Sequence, residues 1–206
     1  GGVVLANPNA PTGIAEPVSF VEDIIKHNQD VVVIVDEAYV DFGGESALPL
    51  IDRYDNLLVV RTFSKSRSMA GLRIGYAMGS EKLIKYMNDV KFSYNSYTMN
   101  MPSIILGAES IKDDEYFKST VKKVMDTRKW FTDEIRKIGF TCPDSSTNFI
   151  FMKHKSLTAK EIFEKARDAK IFVRYFNKPR IDNYLRVTIG TKEEMDTFLD
   201  FLKKLV

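Results

Sequence analysis

The stretch VVVIVDEAY, residues 31–39, decides the fold class of this chain. It runs through five β-branched residues without a polar break and then reaches Asp36. Such a run is typical of a parallel strand that is buried on both faces, because parallel sheets carry helices on either side. We therefore expect a parallel sheet, with Asp36 at the carboxyl end of one of its strands.

The neighbouring segments continue the same alternation. Residues 1–8 (GGVVLANP) predict a strand. Residues 18–28 (VSFVEDIIKHN) predict a helix, because apolar residues recur at helical spacing and Pro17 suits a first turn. Two further strands are predicted at 57–61 (LLVVR) and 73–78 (RIGYAM). The first half of the chain thus alternates strands with helices or loops, as in an open α/β sheet.

The pattern changes after about residue 98. Two long helices are predicted up to Gly139, which fits the position just after a helix. The remaining segments predict a strand, a helix, two strands and an amphipathic helix: NFIFMK (148–153), TAKEIFEKARDA (158–169), IFVRYF (171–176), YLRVTIG (184–190) and KEEMDTFLDFLKKLV (192–206). We expect residues 1–112 to be part of a large α/β domain with a mainly parallel sheet, and residues 113–206 to be a smaller α+β domain.

Composition argues against several classes of function. The 206 residues carry 30 basic and 28 acidic side chains, which are well mixed, so we expect no nucleic-acid or membrane partner. No stretch approaches the ~20 apolar residues of a membrane span. Two histidines and one cysteine, Cys142, argue against a metal site. The lone cysteine and the lack of a charged leader with an apolar core favour a cytoplasmic protein.

Two residues stand where an open α/β sheet binds ligands, which is outside the carboxyl ends of its strands. Asp36 ends the strand VVVIVD, where a carboxylate needs a partner charge or a capping role in the next turn. Lys65 follows the strand at 57–61, and its amine is suited to phosphate binding or to Schiff-base chemistry. The alternative is a solvated basic loop shared with Arg67 and Arg73. Neither GxxxxGK[ST] nor GxGxxG is present around Lys65.

Four motifs occur in order, and each begins or follows a predicted strand: NPNAPTG (7–13), DEAY (36–39), SK (64–65) and GLRIGY (71–76). Together they resemble the fold-type-I pyridoxal-phosphate enzymes of the aminotransferase class. Three longer segments are similar to histidinol-phosphate aminotransferases within that class: RTFSKSRSMAGLRIGY (61–76), VKFSYN (90–95) and VRYF with YLRVTIGT (173–191). The resemblance covers essentially the whole chain and implies pyridoxal 5′-phosphate as the cofactor.

The resemblance implies a role for each matching residue. Lys65 would bind the cofactor aldehyde covalently and then move protons as the catalytic residue. Asp36 would pair with the pyridine nitrogen of the cofactor, and Tyr39 would hydrogen-bond its ring O3′. Ser64 and Arg73 would hold the phosphate, a task for which a planar guanidinium is well suited.

One position departs from the family pattern. The family has asparagine directly before PTG, where its side chain contacts O3′, whereas this chain has Ala10. We take Asn9 as the candidate replacement. Asn7 in that role, or Tyr39 making the contact alone, are the alternatives.

Residues in the second half match positions that bind substrate in the family. Arg186 would grip the acidic end of the substrate, and Arg174 would help to bind the phosphate of histidinol phosphate. For either arginine the alternative is a surface ion pair. Asn95 resembles a position near the active site and the dimer interface. The implied reaction moves an amino group between L-histidinol phosphate and 2-oxoglutarate, giving glutamate, in a homodimer.

Two other interpretations stay open. Threonine-phosphate decarboxylases and aromatic-amino-acid aminotransferases share the fold, so the substrate is not fixed by the motifs. The family also has an upstream part that holds the cofactor phosphate with a glycine-rich turn and a helix start. We therefore expect this chain to be a fragment that binds the cofactor weakly or is inactive by itself.

Overall fold

A computed structural model describes residues 1–206, the whole of the chain. Its strands form two four-stranded sheets, and six α-helices pack around them. In chain order the elements are β1 (Gly2–Ala6), α1 (Val18–Lys26), β2 (Val32–Asp36), β3 (Leu57–Thr62), β4 (Gly75–Gly79), α2 (Glu81–Tyr94), α3 (Met101–Lys112), α4 (Asp114–Lys137), β5 (Phe140–Thr141), β6 (Phe149–His154), α5 (Ala159–Asp168), β7 (Arg174–Tyr175), β8 (Leu185–Thr188) and α6 (Lys192–Leu205).

The first sheet has the strand order β1-β2-β3-β4. Strands β1, β2 and β3 are parallel, and β4 runs antiparallel to β3. The predicted mainly parallel sheet is therefore confirmed. In the register of the sheet Asp36 lies beside Ala6 on one side and Val60 on the other. The carboxyl ends of three strands thus share the edge at which Asp36 stands.

Burial on both faces of β2 was a wrong prediction. Val33 and Val35 are fully buried against helix α1, where Val21 and Ile25 are also fully buried. Their neighbour Ile34 points to the other face and is only half-buried, because α1 packs on the opposite side of these strands. One face of the parallel strands is therefore left partly open in this chain.

Helix α2 has no counterpart among the predicted elements. Ser80 caps its amino end by accepting a hydrogen bond from the backbone N–H of Leu83 at 3.5 Å. None of its 14 residues is buried, although Leu83, Met87, Val90 and Tyr94 recur at helical spacing. Strand β4 also begins later than predicted, at Gly75. Arg73 has a left-handed backbone with φ 55°, which breaks the extended run.

The second sheet has the order β5-β6-β8-β7, and all of its pairs are antiparallel. Helices α4, α5 and α6 contribute side chains to its core, which includes Phe131, Ile162 and Leu202. Helix α6 begins with a capping box between Thr191 and Glu194. The predicted order of elements is found here, with β5 added and β7 reduced to two residues.

Helix α4 joins the two halves of the chain. It starts at Asp114, directly after α3, and the Asp113 side chain caps it by accepting from the N–H of Tyr116. Further along, the Arg128 guanidinium donates to the Phe42 carbonyl at 3.0 Å in the first half and to the Thr147 carbonyl in the second. None of the helices combines the length and apolar character that crossing a bilayer requires.

Candidate active site

Asp36 lies at the end of β2 and caps the turn that follows. Its Oδ1 accepts a hydrogen bond from the backbone N–H of Ala38 at 3.0 Å. The residue is half-buried, and no cation forms an ion pair with it. The capping role predicted as an alternative is thus present, and the second carboxylate oxygen stays available to another partner.

Lys65 lies in a loop after β3, close to the turn that follows Asp36. Its Nζ is 5.4 Å from the centroid of the Tyr39 ring, a separation within the range of cation–π contacts. The side chain is half-buried and has no hydrogen bond or ion pair. The alternative of a solvated basic loop applies to Arg73, which is exposed, but Lys65 and Arg67 are both partly covered.

Ser64 and Arg73 flank the hairpin between β3 and β4. The N–H of Phe63 donates to the Ile74 carbonyl at 3.0 Å, so Ser64 and Arg73 are the next residues on either side. The Ser64 hydroxyl oxygen accepts from Thr62 Oγ1 at 2.9 Å and keeps its own proton for a further acceptor. Arg73 Nη1 donates to the Ala70 carbonyl at 2.8 Å, which leaves most of its five donors free.

The two asparagines near the first strand have local partners. The Asn7 side chain is buried, donates to the Glu16 carbonyl at 2.9 Å and accepts from the Glu16 N–H at 2.8 Å. Asn9 Oδ1 accepts from Thr12 Oγ1 at 2.9 Å, and its side-chain amide donates to no protein group. Asn7 is therefore committed to holding its loop, whereas Asn9 retains two free donors.

Arg174 and Arg186 are cross-strand partners on β7 and β8. Both guanidinium groups lie over the Phe176 ring, at 5.5 and 6.0 Å from its centroid. Neither forms an ion pair, and Arg186 Nε is buried without a hydrogen-bond partner. Like charges opposite each other in a sheet are destabilising, and a buried unpaired donor is costly, so this arrangement calls for an anion.

Asn95 lies apart from these groups. It is exposed at the carboxyl end of α2, where its Oδ1 accepts from the Tyr97 N–H at 3.2 Å. No contact of its side chain joins it to Lys65 or to the two arginines.

Phe149 was missed by the sequence analysis. Its ring meets Tyr39 edge-on at a centroid distance of 5.2 Å, and the Arg186 guanidinium lies 5.0 Å from its centroid. Lys65, Tyr39, Phe149 and Arg186 therefore form a continuous series of contacts from the first half of the chain to the second. Phe149 begins a strongly apolar strand. Nothing in the surrounding sequence distinguishes it from an ordinary residue of the hydrophobic core.

Glu37, also missed, forms a buried ion pair beside Asp36. Its carboxylate accepts from Arg61 at 2.8 to 2.9 Å, and also from the Ser46 hydroxyl and the Ala47 N–H. Burial opposes the charge of Arg61, but the adjacent Glu37 outweighs it and raises the pKa of the guanidinium. The signal in the sequence was a second acid directly after Asp36 in DEAY, since a buried carboxylate requires a partner.

The groups at this edge fit pyridoxal 5′-phosphate by their chemistry. Asp36 has a free carboxylate oxygen for a pyridine N–H, and Lys65 has an amine without a partner for an aldehyde. Ser64 and Arg73 have spare donors for a phosphate.

Comparisons with known proteins identify the family of the chain. The aminotransferase class I and II family matches residues 1–202. The chain is 53% identical over 206 residues to a histidinol-phosphate aminotransferase of Clostridium botulinum (strain Okra / Type B1), and 50% identical over 204 residues to that of Lactococcus lactis subsp. cremoris (strain SK11). The matches cover 100% and 99% of this chain but 58% and 57% of those relatives. The chain thus spans less than two thirds of their length.

Solved structures share the fold. A putative histidinol-phosphate aminotransferase from Erwinia carotovora atroseptica superposes with a TM-score of 0.88 at 27% identity, covering 98% of this chain and 60% of that one. The enzyme from Sinorhizobium meliloti, solved in complex with pyridoxal-5′-phosphate, gives 0.87 at 24% identity over 99% and 58% of the two chains, which shows the fold alone. The expected fold-type-I architecture is confirmed, and the chain belongs to the aminotransferase class I and II family.

Proposed function

We propose that this chain carries the catalytic lysine of a pyridoxal-phosphate-dependent aminotransferase acting on L-histidinol phosphate, with 2-oxoglutarate as the amino acceptor. The observation that carries the proposal is the Lys65 amine, half-buried and without a partner, next to Tyr39 in the turn after Asp36. Relatives that are about half identical and are named histidinol-phosphate aminotransferases support it. Because the chain spans 58% of the first of these, we assign the activity to a longer chain that includes these residues.

Pyridoxal phosphate, when bound, supplies an aldehyde carbon and an electron-withdrawing ring. We assign Lys65 Nζ as the group that binds this carbon and later moves the proton of the substrate α carbon. The free oxygen of Asp36 would accept a hydrogen bond from the pyridine nitrogen, and its negative charge would keep that nitrogen protonated. Tyr39 would donate to, or accept from, the ring oxygen. The spare amide of Asn9 is our candidate for a second contact there.

Ser64 and Arg73 are proposed to bind the cofactor phosphate. They lie on either side of one hairpin, one with a free hydroxyl proton and the other with several unused guanidinium donors. A dianionic phosphate takes up several charge-assisted hydrogen bonds at once. The first turn of helix α3 lies beside this hairpin, since the Ser103 hydroxyl donates to the Leu72 carbonyl at 2.8 Å next to Arg73.

Arg186 and Arg174 are proposed to bind the acidic end of the substrate. The support is their cross-strand pairing, the lack of any ion pair and the unpartnered Nε of Arg186. A phosphate group of the substrate would neutralise both guanidinium groups. Asn95 would join this region only in an assembly, since it is exposed and apart in the single chain.

We further propose that the protein is a homodimer formed through α2 and α3. Large apolar side chains are exposed on both helices, among them Val90 (69%) and Tyr94 (91%) of α2 and Ile105 (54%) of α3. Exposed apolar surface is typical of protein–protein interfaces when it forms a large patch. The proposed domain boundary lies between residues 112 and 113, where α3 gives way to α4. We retain a cytoplasmic location as part of the proposal.

The first experiment adds pyridoxal phosphate to the purified chain, reduces the mixture with borohydride and maps modified lysines by mass spectrometry. We expect Lys65 to be labelled and the label to be absent in Lys65→Ala, while other lysines react equally in both. The same assay on a protein extended to the length of the relatives should label Lys65 more completely. Absence of labelling at Lys65 in both proteins would rule out the proposed cofactor.

Substrate choice is tested on the longer protein. Amino transfer from L-histidinol phosphate to 2-oxoglutarate is expected to exceed transfer from phenylalanine. Release of carbon dioxide from threonine phosphate, without transfer of its amino group, would identify a decarboxylase instead.

A further inference from the structure

The position of the Lys65 amine depends on its loop, residues 64–68, because the side chain has no hydrogen bond or ion pair of its own. Each neighbouring residue of the loop is tethered. Thr62 donates to Ser64, Ser66 donates to Asp41, and the N–H of Ser68 donates to the Lys65 carbonyl at 3.1 Å. These contacts tie the loop to the first sheet and to the turn after Asp36.

Arg67 ties the same loop to a different part of the molecule. Its Nη1 donates to the Ser110 carbonyl in the last turn of α3. Its guanidinium lies 4.1 Å from the centroid of Phe117 in the first turn of α4, and 5.4 Å from that of Phe63. A planar guanidinium can stack on a ring and donate in its own plane at the same time, whereas an ammonium has no such geometry. One side chain thus holds the end of α3, the start of α4 and the lysine loop together.

A cavity of about 270 Å³ lies beside this contact. Residues 66–69 of the loop form one wall, and residues of α3 and α4, including Glu109 and Tyr116, form the other. Open space therefore separates the loop from helices α3 and α4 next to Arg67. Tight packing of side chains does not fix the position of the loop relative to these helices. The Arg67 contacts cross that gap, so their loss would leave the loop free to shift toward it.

We propose that Arg67 is a positioning residue, which holds the lysine loop against the junction of α3 and α4 and thereby sets where the Lys65 amine lies. The inference rests on the proposed role of Lys65. It goes beyond that role by connecting the reactive amine to the junction at which the chain passes from the first sheet to the second. The hydrogen bonds and ring contacts of the Arg67 side chain are made with Ser110, Phe63 and Phe117, and not with Lys65 or Tyr39.

The test measures how fast Lys65 reacts with a general amine reagent. The whole chain is pulse-labelled with acetic anhydride, and peptide mass spectrometry gives the acetylation rate of Lys65 relative to Lys178, an exposed lysine without an ion pair. The variants are Arg67→Ala, Arg67→Lys and Phe117→Leu. The matched control is Arg167→Ala, because Arg167 lies over Phe163 at 5.8 Å on an exposed surface far along the chain. Circular dichroism verifies that each variant is folded.

In Arg67→Ala we expect the Lys65 ratio to rise about fivefold, as loss of one charge-assisted hydrogen bond and one stacked contact would allow. Arg67→Lys should give nearly the same rise, since the charge is kept and the planar fork is lost. Phe117→Leu should give a smaller rise, and Arg167→Ala no change. If Arg67→Ala or Arg67→Lys leaves the ratio unchanged, or if all lysines react faster together, Arg67 is not a positioning residue.

This readout is independent of the proposed cofactor. Failure of pyridoxal phosphate to label Lys65 in the unmodified chain would count against the proposed function, while the acetylation ratio would still decide on Arg67.

Discussion

The Tyr39 and Phe149 rings meet edge-on, with centroids 5.2 Å apart, although the two residues are more than a hundred positions apart in the sequence. This contact joins the turn after Asp36 to the second sheet, and Lys65 Nζ lies 5.4 Å from the centroid of the same Tyr39 ring. Tyr39 therefore has two separable roles, a packing role for the ring and a chemical role for the hydroxyl.

The variant Tyr39→Phe separates them. Because the ring is kept, the free energy of unfolding should change by less than about 0.5 kcal/mol. Loss of one hydrogen bond should weaken binding of pyridoxal phosphate by about tenfold or less in a spectroscopic titration of the longer protein. Tyr39→Leu, which also removes the ring contact, should destabilise the fold measurably. Equal affinity of Tyr39→Phe and the unmodified protein for pyridoxal phosphate would show that the hydroxyl does not contact the cofactor.

The Glu37–Arg61 pair is expected to be structural. Glu37→Ala leaves the Arg61 guanidinium largely buried with no carboxylate, and breaking a buried pair in this way costs about 3 kcal/mol or more. Urea unfolding followed by circular dichroism gives this value. Glu115→Ala, at an exposed residue without an ion pair, is the control and should be nearly neutral. A loss below about 1 kcal/mol in Glu37→Ala would show that water compensates Arg61.

Arg128 is expected to hold the two sheets in a fixed relation. Burial lowers the pKa of its guanidinium. The guanidinium nevertheless donates charge-assisted hydrogen bonds to the Phe42 and Thr147 carbonyls. Arg128→Ala should cost about 3 kcal/mol, since two buried acceptors lose a charged donor. Lys129→Ala, one residue away on the exposed side, should cost less than about 0.5 kcal/mol. Similar losses of unfolding free energy in both variants would show that Arg128 does not hold the two sheets together.

Gly13 is a position where a side chain should not fit. Its φ is +80°, and a Cβ would lie 2.6 Å from Ser145 Oγ, across the contact in which the Ser146 N–H donates to the Gly13 carbonyl. Gly13→Ala should therefore destabilise by about 2 kcal/mol in urea unfolding, from backbone strain and displacement of Ser145. Gly71→Ala, where nothing lies within 4 Å, is the matched control. We expect Gly71→Ala to be neutral, and a neutral Gly13→Ala would be inconsistent with this geometry.

A pH effect is expected at Glu22. The hydrogen bond from Tyr54 is the largest cause that holds the pKa of Glu22 below its ordinary value of 4.5, with Lys26 and Arg53 adding to it. A lowered pKa in the folded state means that the ionised form favours folding. That contribution is present above pH 4.5 and is lost as the pH falls through the lower folded pKa.

The variant Tyr54→Phe tests this assignment. It should raise the pKa of Glu22 toward its ordinary value and flatten the acid limb of the stability curve, as followed by NMR titration and by urea midpoints. Tyr116→Phe, at an exposed tyrosine, should leave the pKa of Glu22 unchanged. An unchanged Glu22 titration in Tyr54→Phe would assign the lowered pKa to the two cations instead.

Local pattern predicted much of the fold and part of the candidate site. The β-branched run before Asp36 and the capped amphipathic helices of the second half have signals within a few residues, and they were found. Lys65 was proposed from the motif formed with its neighbours, and its catalytic role stays a prediction. Helix α2 was missed although Leu83, Met87, Val90 and Tyr94 recur at helical spacing, and the open face of β2 was missed because burial depends on what covers a strand.

Long-range contacts explain the residues that pattern did not reveal. Arg61 meets Glu37 only because β3 runs beside β2, and Arg67 meets Phe117 only because α3 turns back to the lysine loop. Arg174 and Arg186 were proposed from the motifs as substrate-binding residues, whereas their pairing across β7 and β8 is a property of sheet register. Such partners are fixed by topology, so no short window of sequence contains them.

Helix α2 has a consequence for how assembly can be followed. A helix of 14 residues is marginal in water unless an apolar face is packed, and none of the residues of α2 is buried in the single chain. Its amide protons should then exchange with solvent far faster than those of α4 while the chain is alone. Slow amide exchange at α2 would mean that another protein surface covers the helix. The exchange rate at α2 therefore reports whether the chain has assembled with a partner.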